Sequence, residues 1–165
     1  MKKLLIGGLL FVGLSFAQTQ TPRPPLVSCE AGKNTPCVVL ASKPADLAGI
    51  WKRYQNGPAF AATGGVGFVR YNSDGSYATA DTPENTAAQY KTFPYGTISF
   101  EGNRMTIDNR GAPASAPECA HGVYEVRVIR LGDQPIGMNF NALEDTCKTR
   151  LSDTPYTQIY ISPAR

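Results

Sequence analysis

Apolar and polar residues alternate over several segments of the chain, which is the pattern of β-strands with one buried face. Ile98 and Phe100 alternate with polar neighbours, and so do Met105 and Ile107 in the segment that follows. Because successive side chains of a strand point to opposite faces of the sheet, a period of two predicts strands with one apolar face. Further along the chain the same pattern predicts buried faces formed by Tyr124, Val126 and Val128, by Ile136, Met138, Phe140 and Ala142, and by Ile159 and Ile161.

Short turn sequences divide the alternating segments into eight predicted strands. The turns include Asp74-Gly75 and Gly102-Asn103, whose residues tolerate the positive φ angles of tight hairpins. Residues 83–90 could hold a short helical turn, and no amphipathic helix is predicted. Consecutive hairpins favour an all-β, eight-stranded antiparallel up-and-down meander, closed into a barrel so that no strand edge is exposed. The predicted strands are 47–55, 66–72, 76–80, 95–101, 104–109, 122–130, 136–143 and 156–162.

The N-terminus has the features of a cleavable secretory signal peptide. Lys2 and Lys3 precede an apolar run over 4–14, and small residues precede the expected cut after Ala17. The run is shorter than the about 20 apolar residues of a spanning helix, so no membrane span is expected. We therefore predict a secreted or periplasmic protein with a signal peptide at 1–17, an extended segment with a cysteine loop at 18–45 and the barrel domain at 46–165.

Four cysteines in an exported chain predict two disulfides. Three pairings can be drawn among Cys29, Cys37, Cys119 and Cys147. We favour Cys29–Cys37, which closes a short loop, and Cys119–Cys147, which brackets the last predicted hairpin. Because the close Cys or His spacing of a structural metal site, such as CxxC, is absent from the sequence, disulfides are favoured over metal ligation.

Charge and motif content point away from nucleic-acid binding and catalysis. The formal net charge is +3, and loss of Lys2 and Lys3 with the signal peptide leaves +1, without the basic clusters that nucleic acid requires. The single histidine, His121, is expected to face solvent. Asp145 is expected to hold local backbone N–H groups or Arg150. The sequence has no Gly-x-Ser-x-Gly motif, and we predict no enzymatic activity, no cofactor and no metal.

A series of short motifs resembles the lipocalins and related calycin barrels. Gly49-Ile50-Trp51 opens the first predicted strand and resembles their Gly-x-Trp signature. The series continues with 74–77, 122–124 and Asp145-x-Cys147-x-x-Arg150, and over about 47–161 it is similar to small exported lipocalin-like proteins of bacteria. The resemblance implies structural roles for Gly49, Trp51 and Arg150. Trp51 would pack across the closed end of the barrel, with the Arg150 guanidinium stacked on its ring.

The resemblance also implies a function, the binding of a small hydrophobic ligand in the barrel. The pocket would open at the end opposite Trp51, where aromatic side chains supply apolar area and hydroxyl groups. An eight-stranded barrel is also narrow enough to be filled by its own side chains. The alternative is therefore a non-catalytic cell-envelope or extracellular interaction module with a filled barrel. The candidate ligand contacts are Tyr54, Phe60, Phe93, Tyr95, Tyr124 and Met138.

Overall fold

Nine antiparallel strands form one sheet in the part of the chain that the computed structural model describes. That part comprises residues 23–54, 66–88, 95–110, 112, 114–151 and 156–164. The predicted signal peptide at 1–17 and the candidate ligand contacts Phe60 and Phe93 lie outside the described residues. The strands are β1 (Pro36–Leu40), β2 (Gly49–Tyr54), β3 (Val66–Tyr71), β4 (Ser76–Ala80), β5 (Tyr95–Glu101), β6 (Arg104–Arg110), β7 (His121–Leu131), β8 (Gln134–Glu144) and β9 (Tyr156–Ser162).

Strands β2 to β9 close into a barrel. Each pairs with the next along the chain, and β9 pairs back with β2, so every one of the eight has two neighbours. This confirms the predicted eight-stranded antiparallel meander. Closure is favourable because none of these eight strands is left as an edge strand with a row of unpaired backbone groups. We call the end at which β2 begins the Trp51 end, and the end at which β2, β4, β6 and β8 finish the far end.

Strand β1 is not among the eight predicted strands, and it lies alongside the barrel. It pairs with the second half of β7, while β6 pairs with the first half. A bridge between Val27 and Val38 and a disulfide between Cys29 and Cys37 attach the preceding segment to β1. The N-terminal part of the described chain is therefore held against the barrel wall by backbone pairing and by a covalent bond.

The barrel interior is filled largely by apolar side chains from the predicted faces. Trp51, Met105, Tyr124, Met138 and Phe140 are fully buried there. Because these residues come from strands far apart in the chain, their contacts form only when the sheet closes. The alternation over β5 to β7 and in the middle of β8 therefore agrees with the structure.

The predicted inner face of β9 is wrong. Ile159 and Ile161 point outward, with 44% and 43% of their surface exposed. Gln158, which precedes Ile159 and therefore lies on the opposite face of the strand, is fully buried. Gln158 pairs with Met138 on β8, and paired residues share a face, so the register with β8 decides which set points inward. Ile136 is also exposed, because the β7–β8 register shifts between Ile129 and Arg130 and the alternation is interrupted there.

Short helical segments occupy some of the connections. The helix α1 (Asn85–Ala88) lies within the segment predicted to hold a helical turn, whereas α2 (Lys148–Leu151) was not expected from the sequence. Two 3-10 turns, Pro44–Leu47 and Pro117–Cys119, precede β2 and β7. None of the helices in the described part of the chain is long and apolar enough to span a bilayer.

Candidate functional site

The Trp51 end of the barrel is closed by the indole of Trp51. Its Nε1 donates a hydrogen bond to the carbonyl oxygen of Leu47 at 2.8 Å, and Leu47 is itself buried in the 3-10 turn before β2. The ring of Tyr160 meets the indole edge to face, with 5.1 Å between ring centroids. Since both the apolar surface and the N–H of Trp51 have partners within the protein, this end is a packed wall.

Gly49 is required by the close approach of Tyr160. Its φ is +149°, a conformation that favours glycine, and an added Cβ would lie 2.6 Å from Cε2 of Tyr160. Any other residue at this position would displace the ring that packs on Trp51. The Gly-x-Trp sequence is thus explained here by sterics, since the glycine admits Tyr160 against the indole of Trp51.

Arg150 does not stack on Trp51. The connection between β8 and β9 leaves the barrel at the far end, because antiparallel strands alternate in direction and β2 begins at the Trp51 end. The guanidinium binds instead to residues of that connection and of the start of β7. Its Nη1 donates to the carbonyl oxygen of Cys119 at 2.6 Å, and its Nη2 donates to that of His121. The stacking that the resemblance implied is therefore corrected by the strand directions.

Asp145 and Arg150 form a buried ion pair that we call the clasp. Nε and Nη2 of Arg150 donate to the two carboxylate oxygens of Asp145, each at 2.8 Å. The Asp145 side chain has no exposed surface, and 17% of the Arg150 side chain is exposed. The backbone N–H of Cys147 and the hydroxyl of Tyr124 also donate to this carboxylate. The expectation that Asp145 holds a local N–H group and Arg150 is confirmed.

The clasp has electrostatic and steric consequences. Burial raises the pKa of Asp145, but the hydrogen bonds from Arg150, Tyr124 and the Cys147 N–H outweigh it, so the pKa lies below its ordinary value. Gly122 makes room for the clasp, because an added Cβ would lie 2.9 Å from Oδ2 of Asp145. The disulfide Cys119–Cys147 joins the same two segments, as predicted from the sequence. The clasp therefore holds the far end of the barrel together, and its ionised groups are already paired.

A row of aromatic rings leads from the clasp into the barrel. Tyr124 meets Phe140 edge to face, Phe140 stacks on Tyr71, and Tyr71 packs against Tyr77, with centroid separations of 6.0, 6.4 and 5.9 Å. All four residues are buried. Whereas the Tyr124 hydroxyl is bound by Asp145, the hydroxyls of Tyr71 and Tyr77 lie within the barrel itself.

Tyr71, Tyr77 and Gln158 form what we call the interior polar cluster. Nε2 of Gln158 donates to the hydroxyl of Tyr71 at 3.4 Å. Among the described residues, the Tyr77 hydroxyl and Oε1 of Gln158 have no hydrogen-bond partner, although both atoms are buried. Burial raises the pKa of Tyr71 and of Tyr77, so both hydroxyls are protonated at neutral pH. The cluster is thus an uncharged polar patch with unused hydrogen-bonding capacity inside an apolar core.

The candidate ligand contacts fall into two groups where the structure describes them. Tyr124 and Met138 are fully buried in the interior, and the hydroxyl of Tyr124 belongs to the clasp. Tyr54 ends β2 and Tyr95 begins β5, so both lie where a strand meets a far-end connection. The four residues are thus divided between the barrel interior and the ends of two strands, and the structure adds the interior polar cluster, which the sequence interpretation omitted. Gln158 was missed because the inner face of β9 was assigned to its isoleucines.

His121 is exposed at the start of β7, as expected. Its side chain is 72% exposed, and its Nδ1 lies 3.7 Å from Oδ1 of the half-exposed Asp108. In the described part of the chain, no group of three or more His, Cys, Asp or Glu side chains is arranged to hold a metal ion. The interior polar cluster is therefore the candidate site that the geometry favours.

Comparison of the chain with protein-family models, with curated proteins and with solved structures finds no match in any of the three. The topology by itself defines the class: a closed, eight-stranded antiparallel β-barrel, consistent with a calycin-like fold.

Proposed function

We propose that this chain is an exported, lipocalin-like, non-catalytic protein that binds a small, largely hydrophobic ligand inside its barrel. The observation that carries the proposal is that two buried atoms of the interior polar cluster, the Tyr77 hydroxyl and Oε1 of Gln158, have no hydrogen-bond partner among the described residues. Leaving a buried polar group unpaired costs about 1–3 kcal/mol, so a barrel filled only by its own side chains has little reason to keep two. A ligand that completes their hydrogen bonds gives these residues a function.

The entrance that we propose lies at the far end. The Trp51 end is occupied by a packed indole whose N–H is bound to Leu47, and opening it would break that contact. At the far end, Tyr54 and Tyr95 lie beside the connections that leave β2 and enter β5. In this proposal Tyr95 lines the entrance, and Met138 and Phe140 contact the apolar body of the ligand.

Export is part of the proposal. The N-terminal sequence has the positive, apolar and small-residue regions of a signal peptide in the usual order. The structure also contains two disulfides, which form and persist in oxidising compartments. A secreted or periplasmic location accounts for both features.

The direct test uses protein purified from the exported fraction of the cells that produce it. Native mass spectrometry compares the intact protein with the same sample after extraction into organic solvent, and we expect a mass difference that matches a compound recovered in the solvent. Titration with a fluorescent fatty acid analogue tests binding independently. If no mass difference is found and the analogue does not bind at micromolar protein, the proposal is wrong.

The second candidate function is an interaction module with a filled barrel, and the outer face of β9 favours it. Ile159 and Ile161 are both exposed on that face, and exposed apolar patches commonly mark contact surfaces. Replacing both by Thr distinguishes the two functions. Loss of association with other proteins, without any change in ligand titration, would support the interaction module.

A further inference from the structure

Three side chains from three strands supply the hydrogen-bond donors and acceptors of the interior polar cluster. Tyr71 on β3 and Tyr77 on β4 are directly paired across the sheet. Gln158 on β9 reaches the Tyr71 hydroxyl from another part of the barrel wall. The three polar tips therefore share one region of the interior, and Tyr77 and Gln158 retain 5% and 0% exposure.

The unused capacity of the cluster includes both donors and an acceptor. Tyr71 accepts the N–H of Gln158, which leaves its own O–H to donate, and the Tyr77 hydroxyl can donate and accept. Oε1 of Gln158 can only accept. Rotating the amide by 180° would exchange its two atoms and still leave one of them unpaired. A group that both donates and accepts satisfies the cluster in either orientation of the amide.

The charge of the site also determines whether a neutral or an anionic ligand head group fits it better. A carboxylate can only accept, so in the amide orientation of the structure it would leave Oε1 of Gln158 unpaired. In either orientation it would bring a negative charge into a buried region, which is costly. The charge of Arg150 acts on Tyr77, and that of Arg53 acts on both tyrosines. Arg150 is paired with Asp145, and Arg53 also has an interaction partner within the protein. The cluster itself carries no charge, because burial keeps both tyrosines protonated. A neutral head group therefore fits better than an anionic one.

We infer that the interior polar cluster binds the hydroxyl of an amphipathic alcohol, a molecule with an apolar body and one hydroxyl head group. This inference rests on the proposed function, since it names the class of ligand that the barrel takes. The hydroxyl accepts from Tyr77 and donates to Oε1 of Gln158, and the apolar body packs against the aromatic row formed by Tyr71, Phe140 and Tyr124.

The test compares three probes of equal chain length, 1-dodecanol, dodecanoic acid at pH 7.5 and dodecane, each competing with a bound fluorescent reporter on the full exported protein. We expect 1-dodecanol to bind about 10–100-fold more tightly than dodecane, because it completes two hydrogen bonds of otherwise unpaired buried atoms. Dodecanoate should bind more weakly than the alcohol. If none of the probes binds, the proposed function itself fails. Equal binding of all three, or tighter binding of the acid, overturns the hydroxyl assignment while leaving the barrel a binding protein.

Two variants identify the atoms involved. Tyr77→Phe and Gln158→Met each remove one of the two unpaired atoms, and each should reduce the preference for 1-dodecanol over dodecane to about 3–10-fold. Tyr77→Phe should not lower the urea midpoint of the ligand-free protein, since the hydroxyl it removes has no partner among the described residues. Gln158→Met also removes the donor to the Tyr71 hydroxyl and should lower that midpoint by the small amount that one hydrogen bond contributes. Tyr160→Phe is the matched control, because its ring packs on Trp51 and its hydroxyl is not part of the interior polar cluster, and it should preserve the preference for the alcohol. An unchanged preference in both cluster variants would overturn the inference.

Discussion

Arg150→Met tests whether the clasp stabilises the far end of the barrel. The substitution keeps most of the apolar stem of the side chain and removes the guanidinium, which donates to both oxygens of Asp145 and to the carbonyl oxygens of Cys119 and His121. Asp145 is then left with the Tyr124 hydroxyl and the Cys147 N–H as donors. Since its side chain has no exposed surface, water does not replace the lost partner.

The size of the effect follows from the burial of the pair. Removing one partner of a buried ion pair costs about 3–5 kcal/mol, because the remaining charge is left uncompensated. Arg150 is 17% exposed, so part of its contribution is already screened by water, and we expect a loss of about 3 kcal/mol. Total stabilities of about 5–15 kcal/mol make this a large fraction. At about 2–4 °C per kcal/mol the melting temperature should fall by about 6–12 °C.

Urea unfolding followed by the fluorescence of the single tryptophan measures the loss. Arg104→Met is the matched control: it breaks an ion pair with Glu144 whose side chains are 50% and 68% exposed, and it should cost about 0–1 kcal/mol. The double variant Asp145→Asn with Arg150→Met should lose less than the sum of its single variants, because it leaves no unpaired charge. An equal cost for Arg150→Met and Arg104→Met would refute the reasoning.

The pH dependence of stability provides a second measurement on the clasp. The pKa of Asp145 is lower in the folded protein than in the unfolded chain, so the stability it contributes is fully present above the unfolded pKa of about 3.9. That contribution is lost as the pH falls from there through the folded pKa. Below about pH 4 the wild type should therefore lose stability more steeply than Asp145→Asn. Parallel pH profiles for the two proteins would show that the carboxylate is not held as described.

Three further predictions concern the Cys119–Cys147 disulfide, Gly49 and Trp51. Replacing Cys119 and Cys147 by Ala opens a loop with a sequence separation of 28 and should cost about 3–4 kcal/mol in urea unfolding; an unchanged midpoint would count against it. Gly49→Ala should cost about 1–3 kcal/mol because its φ is +149° and its Cβ would meet a ring. Gly67→Ala, where the nearest atom is 3.8 Å away, should stay within about 0.5 kcal/mol, and equal costs would contradict the steric argument. Trp51, the only tryptophan, is fully buried, so its native emission should be blue-shifted and protected from acrylamide, and a solvent-like spectrum would disprove the closed end.

Much of the barrel can be predicted from the sequence, since its strands and turns depend on neighbouring residues. The predicted strands 76–80, 95–101 and 156–162 coincide with β4, β5 and β9. Both disulfides also follow from the sequence, because Cys29–Cys37 closes a short loop and Cys119–Cys147 brackets a hairpin whose ends must lie close together. Period-two alternation, turn chemistry and short-range closure require no knowledge of the distant chain.

The candidate site was decided by the tertiary structure. Alternation within β9 shows that one set of residues faces inward, but pairing with β2 and β8 determines which set, and here it buries Gln158 and exposes Ile159. The strand directions likewise place Arg150 at the end of the barrel away from Trp51. There its guanidinium pairs with Asp145. The sequence alone determined the strands, the turns and the covalent links, which are local properties. Barrel closure brings distant residues together, and it alone decided which polar groups of the described chain are paired and which are buried without a partner there.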